Sequence, residues 1–144
     1  MNNLLLLIVV ASVLGAFRVQ ATLDQSEFGP NILKLVETLH SVCVLMSGTD
    51  ESSIAKVIQG EFTDEPKIKA YMKCLFIETG VIDEKGNFNT EVLIELLPPK
   101  ILDEAVNIFK NCATRTKGIA REEDRIFALL KCCYDQNPDI FIFF

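Results

Sequence analysis

The chain has 144 residues, 20 acidic against 14 basic, a formal net charge of −6 and 49% hydrophobic residues. An acidic surface repels phosphate backbones, so nucleic acid is excluded as an expected partner, and the acidity reads as solubility. The length suits one domain with a modest core, which gains from cross-links.

The first stretch reads as a leader. Met1–Asn3 is polar, Leu4–Val10 is continuously apolar, and Val19-Gln20-Ala21 supplies small residues for cleavage after Ala21. Residues 1–21 are therefore expected to be a secretory signal, and residues 22–144 a secreted, extracellular domain. The apolar run is too short to span a bilayer and Arg18 follows it, so no stable membrane association is expected. No Asn-x-Ser/Thr sequon is present.

Six helices are predicted after the leader. The first runs from Phe28 to about Met46, with Ile32, Val36, Leu39, Cys43 and Met46 on one stripe and Gly48 as its stop. The second spans Asp50–Gln59, with Ile54, Val57 and Ile58 inward. Thr63 or Asp64 is expected to cap the third, which holds Pro66 in its first turn and runs to Thr79. Asn87 or Asn89 leads into the fourth, which carries Val92, Leu93, Ile94, Leu96 and Leu97 and is apolar on most of its circumference. Pro98-Pro99 ends it and starts the fifth, where Ile101, Ala105, Ile108 and Cys112 recur at helical spacing. The sixth is read from Ala120 to Tyr134, opening on Glu122-Glu123-Asp124, which suit the positive end of a helix. No period-two stretch is long enough to predict a strand. The apolar excess can fill a core, line a cavity or form an interface. The tail Phe141-Ile142-Phe143-Phe144 is expected to tuck against the body, because an exposed apolar terminus is a liability.

Chemistry-bearing patterns are sparse. The single histidine, His40, and widely spread cysteines do not make a zinc site, and no metal or other cofactor is expected. His40 and Ser41 are adjacent, so their side chains diverge on a helix, and no Gly-x-Ser-x-Gly is present. No catalytic residue is assigned and no enzyme activity is expected. The cysteines Cys43, Cys74, Cys112, Cys132 and Cys133 read as a disulfide framework with one left over, whose connectivity spacing alone does not give.

Thirty residues lie between Cys43 and Cys74, thirty-seven between Cys74 and Cys112, and nineteen between Cys112 and Cys132. Ala70-Tyr71-Met72-Lys73-Cys74, Thr79-Gly80-Val81-Ile82-Asp83 with Gly86-Asn87, and Leu130-Lys131-Cys132 with Pro138 complete the pattern. Together with the leader, the chain resembles the insect odorant-binding proteins of the pheromone- and general-odorant-binding superfamily. In the six-cysteine members, two further cysteines fall where Ala70 and Glu123 stand here, so the resemblance is to the four-cysteine, Minus-C branch.

The resemblance implies an all-α, six-helix, disulfide-bridged domain enclosing a hydrophobic cavity. It implies the pairs Cys43–Cys74 and Cys112–Cys132, the Pro138 offset favouring Cys132 over Cys133 and leaving Cys133 a free thiol. It also implies a carrier that binds odorant, pheromone or lipid-like molecules and transports them through aqueous lymph. Its partners would be a small hydrophobic ligand and, as a further candidate, an olfactory receptor, with the protein a monomer or weak homodimer. The expected lining is Leu39, Val57, Phe76, Phe88, Leu93, Leu96, Leu97, Phe127, Leu130 and Phe141, with Phe141–Phe144 as a plug and Tyr71 or Tyr134 as a source of one hydroxyl. His40, the side-chain type that titrates near neutral pH, is the candidate for release on acidification. The rival reading is a secreted, cytokine-like helical interaction protein with a solid core.

Overall fold

The computed structural model describes Leu23 and residues 25–144, so the expected leader and the start of the mature domain lie outside the described residues. Six α-helices follow one another: α1 Pro30–Ser47, α2 Glu51–Ile58, α3 Pro66–Glu78, α4 Thr90–Leu96, α5 Leu102–Thr116 and α6 Glu122–Gln136. Short 3-10 turns cover Gln25–Glu27 and Pro138–Ile140. No strand occurs among the described residues; Ile82 and Phe88 form one isolated antiparallel bridge. The fold is the all-α, disulfide-bridged architecture expected from the chain.

Local chemistry explains most boundaries. α1 begins at Pro30, two residues later than the periodicity suggests, because Gly29 is extended and proline fits the first helical position. Asp50 caps α2, its carboxylate accepting the Ser53 amide at 2.8 Å. The residue before α3 is Glu65 rather than Thr63 or Asp64, and its side chain makes no capping hydrogen bond. Pro66 holds the first turn and drives the residue before it extended, while the Asp64 carboxylate is drawn instead to Lys69. Asn89 caps α4, accepting the amides of Glu91 and Val92. α6 runs on to Gln136, two residues past the expected Tyr134.

The centre of the molecule is α3. Ile68, Tyr71 and Met72 are fully buried on it, with Val57 from α2 and Ile126 and Leu129 from α6. α1 and α6 both pack on α3, and α5 packs on α6. Cys43–Cys74 ties α1 to α3 with Cα atoms 5.6 Å apart, and Cys112–Cys132 ties α5 to α6 at 5.8 Å. Cys133 is free. The broad apolar surface of α4 does not enter the core: none of its residues is fully buried.

Ion pairs join α3 to α6 where no disulfide does. Lys69 is buried, lies 5.0 Å over the Phe127 ring, and donates to Asp124 at 2.7 Å as well as pairing with Asp64. The hydrogen bond from Lys69 holds the Asp124 carboxyl below its ordinary range, and the two carboxylates hold the ammonium of Lys69 above its own. Lys73 faces Glu122 at 3.4 Å and Glu123 at 3.9 Å.

A close approach fixes the turn after α2. Gly60 sits at φ +87°, and a Cβ there would lie 2.4 Å from the Tyr134 ring. That ring is held by Phe62 at 5.8 Å and Phe141 at 5.3 Å. Gly60→Ala therefore combines a left-handed backbone penalty of about 1 kcal/mol with displacement of a packed ring, for a total of roughly 2–3 kcal/mol. Chemical denaturation measures this; a loss under about 0.5 kcal/mol would mean that the Tyr134 ring yields freely.

Candidate functional site

The helices leave space on one side of α3. Leu39 of α1, Leu75 and Phe76 of α3, Leu93 and Leu96 of α4, Ile108 of α5 and Leu130 of α6 surround a chamber of about 720 Å³. α3 is thus both core and wall: Met72 is fully buried, and Phe76, one turn further on, faces the chamber. Ile140, the end of the last 3-10 turn, and the residues that follow it to Phe144 supply another wall. Its placement is set by rings: Phe143 meets Tyr71 edge-on at 5.8 Å, and Phe141 stacks on Phe143 at 6.2 Å. The buried Tyr71 hydroxyl donates to the main-chain oxygen of Phe144, and burial pushes its phenol pKa up.

No charged side chain stands on this wall among the described residues. Its polar side chains are Thr79, Asn137 and Cys133. The Thr79 hydroxyl donates back to the Leu75 carbonyl at 2.7 Å. Asn137 donates to Glu104 at 2.8 Å and accepts the Asp139 amide at 3.1 Å. Burial pushes the Cys133 thiol up to about 12, so it stays neutral.

That thiol links the chamber to alkaline stability. The ordinary value is 9.0, and the folded protein keeps the proton to about 12. The contribution is complete below the ordinary value and is lost as pH rises toward the folded one, because the unfolded chain ionises first. Cys133→Ala is expected to flatten the fall in urea midpoint above pH 9.0. An identical fall in both proteins would remove Cys133 as its source.

Of the expected lining, Leu39, Phe76, Leu93, Leu96, Leu97, Leu130 and Phe141 lie on the wall. Val57, Phe88 and Phe127 do not. Val57 is fully buried in the core, and its neighbour Ile58 takes the wall position from α2. Phe88 stands behind the wall, edge-on to Phe109 at 5.4 Å and to Phe76 at 6.2 Å. Phe127 turns to the α2–α3 loop, meeting Phe62 at 5.8 Å beneath Lys69. The tail residues Phe141, Ile142, Phe143 and Phe144 all border the chamber. Ile32, Leu33 and Val36 of α1 also form wall, although the periodicity assigns Ile32 and Val36 to an ordinary stripe and leaves Leu33 off it. Their signal is the crowding of Ile32, Leu33, Leu35 and Val36, wider than a core-facing stripe needs.

His40 lies outside the chamber, in a smaller recess with Glu37, Ser41 and Phe144. Its Nδ1 is 2.9 Å from the Tyr71 hydroxyl and its Nε2 is 2.9 Å from Glu51. Among the described residues, no group of His, Cys, Asp and Glu is placed to hold a metal ion.

A helical bundle stapled by two disulfides thus carries a Phe-rich chamber with no charged side chain on its described wall. The chain belongs to the PBP/GOBP family, whose model matches residues 25–136. It is 29% identical over 90 residues to general odorant-binding protein 69a of Drosophila melanogaster, covering 62% of this chain and 61% of that protein, less than two thirds of its length. It is also 29% identical over 111 residues to the B2 protein of Tenebrio molitor, covering 76% and 84%. Among solved structures it is similar to Apis mellifera odorant binding protein 5, with TM-score 0.68 and 19% identity over 85% of this chain and 98% of that one. Odorant binding protein 7 of Anopheles gambiae, solved with four disulfide bridges in complex with an azo compound, superposes with TM-score 0.66 and 21% identity over 78% and 91%.

Proposed function

We propose that the protein is a secreted, non-catalytic carrier that takes up odorant-, pheromone- or lipid-like molecules and moves them through aqueous lymph. The observation that carries this reading is the chamber of about 720 Å³ with no charged side chain on its described wall. Burying apolar ligand surface gains about 25 cal/mol per Å², so a few hundred Å² supports micromolar binding. The wall residues Leu39, Phe76, Leu93, Leu96, Leu97, Leu130 and Phe141 make the contacts. Membership of the family and the azo compound held by the mosquito relative support the same reading. Secretion rests on the leader at residues 1–21 and on the two disulfides. Delivery to an olfactory receptor, by a monomer or weak homodimer, completes it.

We assign the chain to the Minus-C type. Ala70 and Glu123 occupy the positions of the absent bridge, and Cys133, held neutral by burial, does not replace it. Displacement of a fluorescent probe by terpenes, aromatics and long-chain lipids tests the carrier reading. Saturable displacement is expected. A folded protein that binds neither the probe nor any of these compounds would favour the interaction-protein alternative.

A further inference from the structure

The wall chemistry narrows the class of cargo. We propose that the chamber selects uncharged ligands and discriminates against carboxylates of the same chain length, with the polar end of an amphiphile directed to the recess beside Glu37, His40 and Ser41. This rests on the carrier reading and adds a rule of charge to it.

Four observations converge. First, the polar side chains of the wall are already engaged or neutral. Thr79 donates to Leu75, Asn137 is used at both ends of its amide, and Cys133 keeps its proton. A carboxylate brought into this space gives up its water without a cation to replace it. Second, the recess shares Leu33, Val36 and Phe144 with the chamber, so it is the polar ground adjoining it. Third, the recess itself is acidic. Glu37 lies on it, while His40 is held between Tyr71 and the carboxylate of Glu51. The Nε2 side of His40 is therefore already taken by the Glu51 carboxylate. Fourth, the net charge of −6 gives an approaching anion no attraction. A hydroxyl fares differently: it needs no counter-ion and can donate to the Glu37 carboxylate.

The test uses the folded, disulfide-intact protein and one chain length with three heads: dodecan-1-ol, methyl dodecanoate and dodecanoate. Each displaces N-phenyl-1-naphthylamine at about pH 8, where the acid is ionised. The alcohol and the ester are expected to bind at least tenfold more tightly than the acid. Glu37 is exposed, so Glu37→Lys leaves the packing intact and places a cation in the recess. It is expected to narrow the gap between acid and alcohol at least threefold. Equal affinity of the wild type for acid and alcohol would overturn the charge rule while leaving the carrier reading standing. A gap that Glu37→Lys leaves unchanged would overturn the assignment of the polar end to the recess. Failure of the probe and of all three compounds to bind would overturn the carrier reading and this rule together, whereas a bound probe that none of the three displaces would overturn this rule alone.

Discussion

A protein carrying Ala70→Cys together with Glu123→Cys unfolds with about 4 kcal/mol more free energy than the parent and exchanges ligand more slowly. The bridge would close a loop of about fifty residues, for which chain entropy gives a gain of that size. Today this seam is held by Lys69 with Asp124 and Asp64, and by Lys73 with Glu122 and Glu123. The double substitution removes only the longest of these contacts, Lys73–Glu123 at 3.9 Å, and such partly exposed pairs contribute little. Chamber wall comes from both sides of the seam, Leu75 and Phe76 from α3 and Leu130 from α6. Motion across it therefore changes the access of a ligand. Denaturation and stopped-flow probe release measure the two effects. A bridge verified by mass that left both unchanged would mean that packing already holds the seam.

Ending the chain after Ile140 weakens ligand binding by about 10–50-fold and leaves the bundle folded. Phe141, Ile142, Phe143 and Phe144 all face the chamber. Their removal would re-expose roughly 50–100 Å² of a bound ligand, or ~1–2.5 kcal/mol. The core of Ile68, Tyr71, Met72, Ile126 and Leu129 is built by α3 and α6, so helicity survives. Tyr71→Phe separates two roles of the segment. It keeps the ring contact with Phe143 but removes the hydroxyl that meets Phe144 and His40. Its effect on affinity is expected to stay below that of the shortened chain. Titration of a fluorescent probe into both variants checks the order. Undiminished binding by the shortened chain would show that residues 141–144 are not a working wall.

Helices were legible where periodicity and caps agree. Asp50 and Asn89 have the side chains that cap a helix, and both do so. The start of α3 was not, because proline geometry and a distant lysine decide it. Lys69 reaches Asp124 across fifty-five positions, and no local pattern encodes that partner. The site was legible only in part for a different reason. Leu39 and Val57 are both apolar and inward-facing, yet one borders the chamber and the other is core. Which side of a helix meets empty space depends on how neighbouring helices splay, and hydrophobicity carries no record of it. Phe127 makes the same point: its ring is claimed by Phe62 and Lys69 rather than by the chamber.

The adjacent thiols of Cys132 and Cys133 set a sorting problem during oxidative folding. Either can reach Cys112 while α6 is still forming, and side chains one residue apart on a completed helix point about 100° apart. In the folded protein Cys132 meets Cys112 and Cys133 faces the chamber. A Cys112–Cys133 isomer would have to turn α6 about its axis, carrying Leu130 away from the wall and Ile126 and Leu129 out of the core. The mispaired chain is thus a kinetic trap with an exposed, exchangeable thiol at position 132, open to rescue by a disulfide isomerase. Peptide mapping of quenched refolding samples should find both isomers early and Cys112–Cys132 alone at the end. The apolar packing around the chamber then acts as the proofreader of its own cross-link.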